Sequence, residues 1–405
     1  MRKITFVTAH NWDTKRQGGF HKFAESSALH GIETVFFSFP RPYYGYLMNR
    51  EQINPGIIKK LKKGVSYKII QSQDNYSVDT KSTTDTASTA SILNITLPTF
   101  RLPDAAGKLL PDFLMNFFLR TSLQSFNRFS RKFLAGTDCF VFESCEGIAL
   151  IDKIKKRFPG AKIVYRPSDP MVYGGVPERV KKLERIMLFA ADLVLLVNEE
   201  GLSAYRKELP EFDCRVSYKI LSNGIDIESY KKSYPVPDIL RRNNTILYVG
   251  AWGVEWELLF RAADATPDFN YIVVCPNYPP KQIKKKSLQY KNLLYVPGIP
   301  PAEVPAWITN CSVVMVPYET GFYEDRPLGI TAKYYQAMAA GKPIVAYHDT
   351  PKLAESGVCV TYSYDDFIAA VKVAAAEHTK NYSFNLEGRE WKAITERFLD
   401  EIAAL

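Results

Sequence analysis

The sequence predicts an α/β protein built as two tandem Rossmann-like domains with a cleft between them. Strand-length apolar runs alternate with helical patterns over residues 3–197, and the alternation resumes over residues 245–345. Between the two series lies a Gly- and Pro-rich passage, SNGID at 222–226 and SYPVPD at 233–238, with the composition of a linker. At 405 residues, 46% of them hydrophobic, the chain has room for two domains that each bury a core. The expected division is 1–222, 223–383, and a terminal helix over 384–405 that returns to the first domain.

Residues 3–9 open the chain as a strand rich in Ile, Phe and Val, followed by the loop HNWDTKRQGG. Gly18 and Gly19 introduce a helix over 20–30, Gly31 caps it, and a second strand follows at 34–39. Strand, glycine-bearing loop, helix and strand in this order make a Rossmann-type opening. The loop lacks G-x-G-x-x-G spacing, which argues against dinucleotide binding. His10, Lys15 and Arg16 stand at the carboxyl edge of the expected sheet and are candidates for binding substrate; a solvated basic loop fits the same residues.

Residues 72–91 are rich in Ser, Thr and Asp, the composition of a loop that packs no core. Residues 109–134 carry Phe, Leu and Met at helical spacing beside Arg120, Arg128, Arg131 and Lys132. Such a stripe suits a helix in a membrane interface, with Phe113, Phe117, Phe118 and Arg120 as contacting residues. It equally suits a helix with one face in the core. Beyond it, strands are expected at 139–143, 162–166 and 193–197, with helices at 147–158 and 177–189. The loop after the second of these strands reads Pro167-Ser168-Asp169-Pro170, so Asp169 is held between prolines at a strand's carboxyl end. A carboxylate there is a candidate general base, with a turn or N-cap aspartate as the alternative.

The charge is one-sided. Residues 1–230 hold 33 Lys and Arg against 24 Asp and Glu, whereas residues 231–405 hold 19 of each, so the formal excess of +9 belongs to the first part. A basic part suits nucleic acid, an anionic membrane surface or an acidic ligand, and no nucleic-acid-reading motif is present. The six cysteines have neither CxxC nor Cys/His spacing and read as reduced thiols rather than disulfides or zinc ligands. The most apolar run, 187–197, is shorter than a bilayer span and contains Asp192, and the chain enters a strand at once, so neither a transmembrane helix nor a signal peptide is expected. A D-x-D pair, an H-x-x-x-H cluster, a P-loop and a G-x-S-x-G elbow are all missing, so neither a metal nor a cofactor is expected.

In the second series, strands at 245–249, 271–275, 293–296 and 313–317 are accompanied by the turn Gly250-Ala251-Trp252-Gly253 and a helix at 303–310. The stretch YETGFYEDRPLGITAKYYQAMAAGKPIV, 318–345, is central. A strand ends at Pro317, a polar loop follows, and a helix carries Lys333 and Gln336 before Gly341 and Pro343 stop it. In a parallel sheet such a loop lies where ligands bind, and the helix after it offers free N–H groups to an anion such as phosphate. A plain crossover with a charged loop is the alternative. A phosphate cradle with a lysine in one domain and a candidate base in the other point to group transfer from a nucleotide-activated donor.

SNGID, the turn YVGAW at 248–252 and AMAAGKPIV at 337–345 resemble glycosyltransferases of the GT-B fold. More specifically, TAHNWDTKRQGGFHKFAESSALHG at 8–31, VFES at 141–144, AKIVYRPSD at 161–169, Pro317-Tyr318 and KYYQ at 333–336 resemble the xanthan-pathway, membrane-associated glucuronosyltransferase family. This resemblance implies an inverting, metal-independent enzyme that moves glucuronate from UDP-glucuronate to a lipid-linked oligosaccharide. It implies a role in exopolysaccharide or cell-surface glycan synthesis, and peripheral attachment to the cytoplasmic face of the membrane. Asp169 is implied as catalytic base, and Tyr318, Lys333 and Gln336 as nucleotide-sugar-binding residues; Thr331, Gly250 and Trp252 complete that set. His10 and Arg16 are expected on the acceptor side. The commoner GT-B pattern has Glu where Gln336 stands, paired with a second acidic residue upstream, roughly where Leu328 stands. A lysine and a glutamine in place of two acids suit an anionic sugar. A transferase of another UDP-sugar and a non-catalytic nucleotide-sugar-binding subunit are the rival readings, and the presence of Asp169 speaks against the second.

Overall fold

The computed structural model describes residues 1–12, 18–44, 65–71, 89–122, 125–242, 244–251, 253–277, 279–322, 327 and 329–405. The chain divides into two compact units, Met1–Ser222 with Lys392–Leu405, and Asn223–Trp391.

The first unit is built on β1 (Lys3–Thr8), β2 (Glu33–Pro42), β3 (Val65–Gln71), β4 (Thr89–Thr99), β5 (Cys139–Glu143), β6 (Lys162–Arg166), β7 (Leu193–Leu196) and β8 (Tyr218–Ile220). They form one sheet in the order β3-β4-β2-β1-β5-β6-β7-β8. Only the β3–β4 pair is antiparallel. Every residue of β1 and of β5 is buried, as parallel strands covered on both faces by helices require. The chain runs outward from β1 to β2 and β4, then returns to the other side of β1 with β5, so the direction of winding reverses between β1 and β5. Ligands of open α/β sheets bind beyond the carboxyl ends of the strands at such a reversal.

Helix Gly19–Leu29 buries Phe20 and Phe23, and the ring of Phe6 in β1 meets Phe20 edge-on at 6.0 Å. The C-terminal helix Trp391–Ala403 adds Phe398 to this cluster, 6.0 Å from Phe6 and 4.5 Å from Phe23, while Glu401 pairs with Lys219 at 2.6 Å. The returning segment is therefore shorter than the expected 384–405. Phe384 packs on Tyr335 at 5.1 Å, and the Arg389 guanidinium lies over both rings, which holds the residues before the helix on the second unit.

Residues 109–134 are not one helix. They form Asp112–Arg120 and Phe126–Phe133, and the first ends where Thr121 turns extended and its carbonyl accepts the Phe100 N–H at 2.9 Å. Met115, Leu119 and Phe129 point into the core, whereas Phe113 is 69% and Phe117 60% exposed. Phe118 is half-buried, and the Arg120 Nε is buried, so these two belong more to the packing than to the free face expected for them. Of the Ser- and Thr-rich stretch at 72–91, residues 72–88 lie outside the described residues, and 89–91 begin β4, which hydrogen-bonds to both β2 and β3. Among the described residues no helix is long and apolar enough to cross a membrane.

The second unit holds β9 (Thr245–Val249), β10 (Asn270–Val274), β11 (Leu293–Val296), β12 (Val313–Pro317), β13 (Ile344–Tyr347) and β14 (Cys359–Thr361), in the order β11-β10-β9-β12-β13-β14. All neighbours are parallel. This is the strand order of the dinucleotide-binding doubly wound fold, and its reversal falls between β9 and β12. The loops that leave those two strands begin at Gly250 and Tyr318, the positions singled out in the sequence.

Candidate active site

Beyond the reversal in the first unit, the last residue of β5 is a carboxylate. Glu143 is buried, and three side chains from separate elements donate to it: the Thr8 hydroxyl from β1, His10 Nε2 at 3.3 Å from the following loop, and the Ser168 hydroxyl at 3.2 Å from the loop after β6. Burial alone would raise its pKa, but the hydrogen bond and charge of His10, with Thr8 and Ser168, hold it below the usual carboxylate range. Glu143 is therefore ionised at neutral pH. The imidazole of His10 is half-exposed, its backbone fixed by its own N–H to the Thr8 hydroxyl at 3.0 Å and by the Ser38 hydroxyl to its carbonyl at 2.6 Å.

Asp169 follows directly. Its backbone N–H donates to the Ser144 hydroxyl at 3.2 Å, so β5 grips the β6 loop through two successive residues, Glu143 and Ser144. The Asp169 residue is exposed, between Pro167 and Pro170, which both are buried. Just behind, the carboxylate of Glu184 accepts the hydroxyls of Tyr165 and Tyr205 at 2.6 and 2.5 Å and the N–H of Met171 at 3.0 Å, which anchors the far side of the same loop. His10 and Asp169 thus lie on loops tied to one strand end. Arg16, the other expected acceptor residue, and Lys15 lie outside the described residues.

Of the donor residues expected in the second unit, Gly250, Tyr318 and Lys333 lie at the β9–β12 reversal. Lys333, at the start of helix Ala332–Ala339, donates to the Tyr318 hydroxyl at 2.5 Å. Its ammonium also stands 4.6 Å from the Tyr318 ring centre and 5.4 Å from that of Tyr248 in β9. Two aromatic faces stabilise the cation without neutralising it. The two loops are zipped together: Glu255 N–H donates to the Pro317 carbonyl and Glu319 N–H to the Gly253 carbonyl, each at 2.8 Å. Gly253 has φ +69°, and at Gly250 a Cβ would collide with the Tyr248 hydroxyl and ring, so both glycines are required by the path of the turn.

Thr331 is the N-cap of the lysine-bearing helix, yet it makes no capping bond, and its Oγ1 is buried without a hydrogen-bond partner among the described residues. Such an atom is suited to an incoming acceptor or donor group. Gln336, one turn beyond Lys333 on the same helix, hydrogen-bonds Tyr230 of helix Ile227–Lys231. Trp252 lies outside the described residues, as does Leu328.

Four residues of these sites escape the sequence reading. Glu143 and Asp349, which accepts the Tyr334 hydroxyl in the donor cluster, are each the first acidic residue at or just past the end of an apolar strand. A charge in that position was the available signal. Tyr248 and Tyr334 gave none, since a buried tyrosine in a strand or helix reads as core.

Two doubly wound units in tandem, the second carrying a lysine and tyrosine cradle at its switch point, define a glycosyltransferase of the GT-B fold. Residues 6–197 match the family described as glucuronosyltransferase GumK, N-terminal domain, and residues 243–376 match glycosyl transferases group 1. The chain is thus a glycosyltransferase with a GumK-like N-terminal domain followed by a group 1 domain.

Solved structures with the same fold include the trehalose-6-phosphate structure from E. coli bound with UDP-2-fluoro glucose, with TM-score 0.60 and 12% identity over 100% of this chain and 99% of that one. They also include Anabaena Alr3699/HepE in complex with UDP and glucose, with TM-score 0.60 and 13% identity over 100% of both chains. The α,α-trehalose 6-phosphate synthase of Burkholderia multivorans has TM-score 0.61 and 12% identity over 100% of this chain and 96% of its own. No curated protein matches the sequence.

Proposed function

We propose that this glycosyltransferase moves glucuronate from UDP-glucuronate to a hydroxyl of a lipid-linked oligosaccharide, with inversion and without a metal, at the cytoplasmic face of a membrane. The observation that carries the reading is Lys333, held between Tyr318 and Tyr248 at the donor edge of the second unit, where the commoner pattern of this fold has acids nearby. An ammonium there favours a donor with an anionic sugar as well as an anionic diphosphate. The match of residues 6–197 to the GumK N-terminal domain supports the same donor.

In the reaction, the acceptor hydroxyl gives its proton to the Asp169 carboxylate as its oxygen bonds to the anomeric carbon of the sugar. The bond from that carbon to the UDP oxygen breaks, and UDP leaves with the electron pair. Lys333 offsets the charge that develops on the departing diphosphate. Exposed Phe113 and Phe117, with the basic excess of the first part of the chain, support attachment to an anionic membrane surface that presents the acceptor.

Transfer from another UDP-sugar is the second reading, favoured by neighbours of the same fold that hold UDP with glucose or UDP-2-fluoro glucose. A screen of purified protein against UDP-glucuronate, UDP-glucose and other UDP-sugars, scored by UDP release and by donor-dependent thermal stabilisation, separates the two. UDP-glucuronate is expected to lead in both readouts. Preference for UDP-glucose would overturn the glucuronate assignment and leave the fold and class intact.

A further inference from the structure

The donor edge of the second unit contains a carboxylate that the transfer does not use. Asp349 follows β13, the strand beside β12, and is 4% exposed. Its Oδ2 accepts the hydroxyl of Tyr334, the neighbour of Lys333 on the same helix, and its Oδ1 accepts the Thr350 N–H at 2.6 Å. The turn that brings it there is costly to form: His348, one residue earlier, is left-handed at φ +48°, held by its N–H to the Thr361 carbonyl at 3.1 Å. A buried carboxylate on a strained turn beside a ligand edge is a candidate for function rather than packing.

The charges around it are few. From helix Ala332–Ala339, Lys333 and Tyr334 act on Asp349; Tyr318 at the end of β12 and Tyr248 of β9 act on Tyr334; and Thr350 faces it from its own turn, which also carries His348 and Lys352. Lys333, bonded to Tyr318, is the one cation among these groups that acts on Asp349, and it does so through space rather than in an ion pair. A nucleotide-sugar brings at least two negative charges of its diphosphate to the same lysine. Two anionic groups in a poorly solvated site cannot both stay ionised cheaply, and the one that can accept a proton does so. Burial already raises Asp349 above the usual carboxylate range, against the opposing pull of Tyr334, Thr350 and Lys333.

We propose that Asp349 belongs to the donor site and takes up a proton from solvent when an anionic nucleotide-sugar binds, because the donor's diphosphate draws on the same lysine that helps to hold Asp349 charged. This rests on the reading of the second unit as the donor unit. It follows that donor affinity falls as pH rises through the window between the titration of Asp349 in the free and the occupied site. In that window the fall approaches about tenfold per pH unit.

The test is calorimetric titration of the full chain with UDP-glucuronate and with UDP-glucose, between about pH 5 and pH 8, in buffers of different ionisation enthalpy. Both probes are diphosphate diesters with no group that titrates in that range, so any proton exchanged belongs to the protein. The wild-type protein is expected to show buffer-dependent heats corresponding to uptake of a fraction of a proton, and an affinity that weakens with pH. Asp349→Asn should bind without proton uptake and, at the alkaline end, more tightly than wild type. Tyr334→Phe, which keeps the carboxylate but removes a bond that favours its charged form, should move the decline to higher pH. Heats that ignore the buffer in the wild type, or an Asp349→Asn protein weakened equally at every pH, would overturn the proposal and assign Asp349 to packing. Failure of both nucleotide-sugars to bind the wild type at any pH is a different result, which removes the donor reading itself and this inference with it.

Discussion

Nε2 of His10 lies 3.3 Å from Oε1 of Glu143, across the two strands between which the first sheet reverses its winding. With Thr8 and Ser168 on the same carboxylate, Glu143 joins β1, its loop and the loop that carries Asp169. The contact fixes which ring nitrogen of His10 faces Glu143, and with it the orientation of the ring. Glu143→Gln keeps the shape and removes the charge. Hydrogen bonds to a charged group contribute about 1.5–3 kcal/mol each, so the variant should lose at least about 1.5 kcal/mol of unfolding free energy. Urea denaturation followed by tryptophan fluorescence measures this. Wild-type stability in the variant would show that the carboxylate does not hold these loops together.

Asp169 is expected to act on catalysis alone. The residue is exposed, its backbone N–H is held by the Ser144 hydroxyl, and asparagine keeps its size and shape. Asp169→Asn should lower turnover by roughly two to four orders of magnitude, the usual effect of losing a positioned base, with donor affinity and melting temperature unchanged. Turnover within a few-fold of wild type would remove it as the base.

Much of this architecture is legible in the residues, and the reasons for the gaps are physical. The parallel strands read clearly because strands buried on both faces are apolar along most of their length, as KITFVT, CFVFE and VVMVP are. β4 is hidden because its first residues continue a Ser- and Thr-rich run, and only pairing with β2 and β3 makes TASILNITLPT a strand. The break at Thr121 is of the same kind. The apolar spacing continues across it, while Thr and Ser compete locally for backbone bonds and Phe100 supplies an outside partner. Asp169 and Lys333 are visible because their neighbours form compact motifs. Glu143 is not, because two of its partners, Thr8 and His10, come from the other end of the first unit's sequence and meet it only when β1 and β5 pair.

At the donor edge, Lys333→Ala removes a charge-assisted contact of about 1.5–3 kcal/mol, which converts to roughly ten- to a hundred-fold weaker UDP-sugar binding. Gly250→Ala should weaken binding too, by a different route, because the new Cβ displaces Tyr248 and with it one of the rings that face Lys333. Calorimetry with UDP-glucuronate checks both. Wild-type affinity in Lys333→Ala would place the diphosphate elsewhere.

Phe113 and Phe117 stand four residues apart on helix Asp112–Arg120 and are both exposed, so they share one apolar face, and Leu109 before the helix is exposed as well. Arg128, Arg131 and Lys132 are exposed on the next helix. Apolar insertion and surface charge act together at a membrane, each Lys or Arg adding about 1 kcal/mol near an anionic surface. Phe113→Ser with Phe117→Ser should weaken sedimentation with anionic liposomes and leave donor binding intact, because neither ring supports the core. Salt should release wild-type protein only in part, since screening over about 8–10 Å removes the charge contribution and not the apolar one. A double variant that binds liposomes as well as wild type would show that the stripe does not face the membrane.

The last expectation concerns acid stability and turns on His21. It is buried one helical turn into Gly19–Leu29, its Nδ1 accepts the Gly18 N–H at 3.3 Å, and the rings of Trp12 and Phe36 lie 5.2 and 4.8 Å away. Burial first, and then the charge of His10, lower its pKa from 6.5 to about 4. The folded state therefore keeps His21 neutral, while the unfolded chain protonates it below about 6.5. Between these two values the unfolded state binds more protons, so stability rises with pH; the contribution is complete above the upper value and is lost as pH falls towards the lower. The shift corresponds to a loss on the order of 3 kcal/mol. Glu143 also weakens the fold in acid, but that loss begins as pH falls to the ordinary carboxylate value of 4.5 and continues below it, under the pH 5 of the comparison. Urea midpoints compared at about pH 7 and pH 5 should fall sharply for the wild type and much less for His21→Phe, which fills the same aromatic pocket without a titrating group. Equal slopes in the two proteins would mean that His21 titrates in the fold as it does in the unfolded chain.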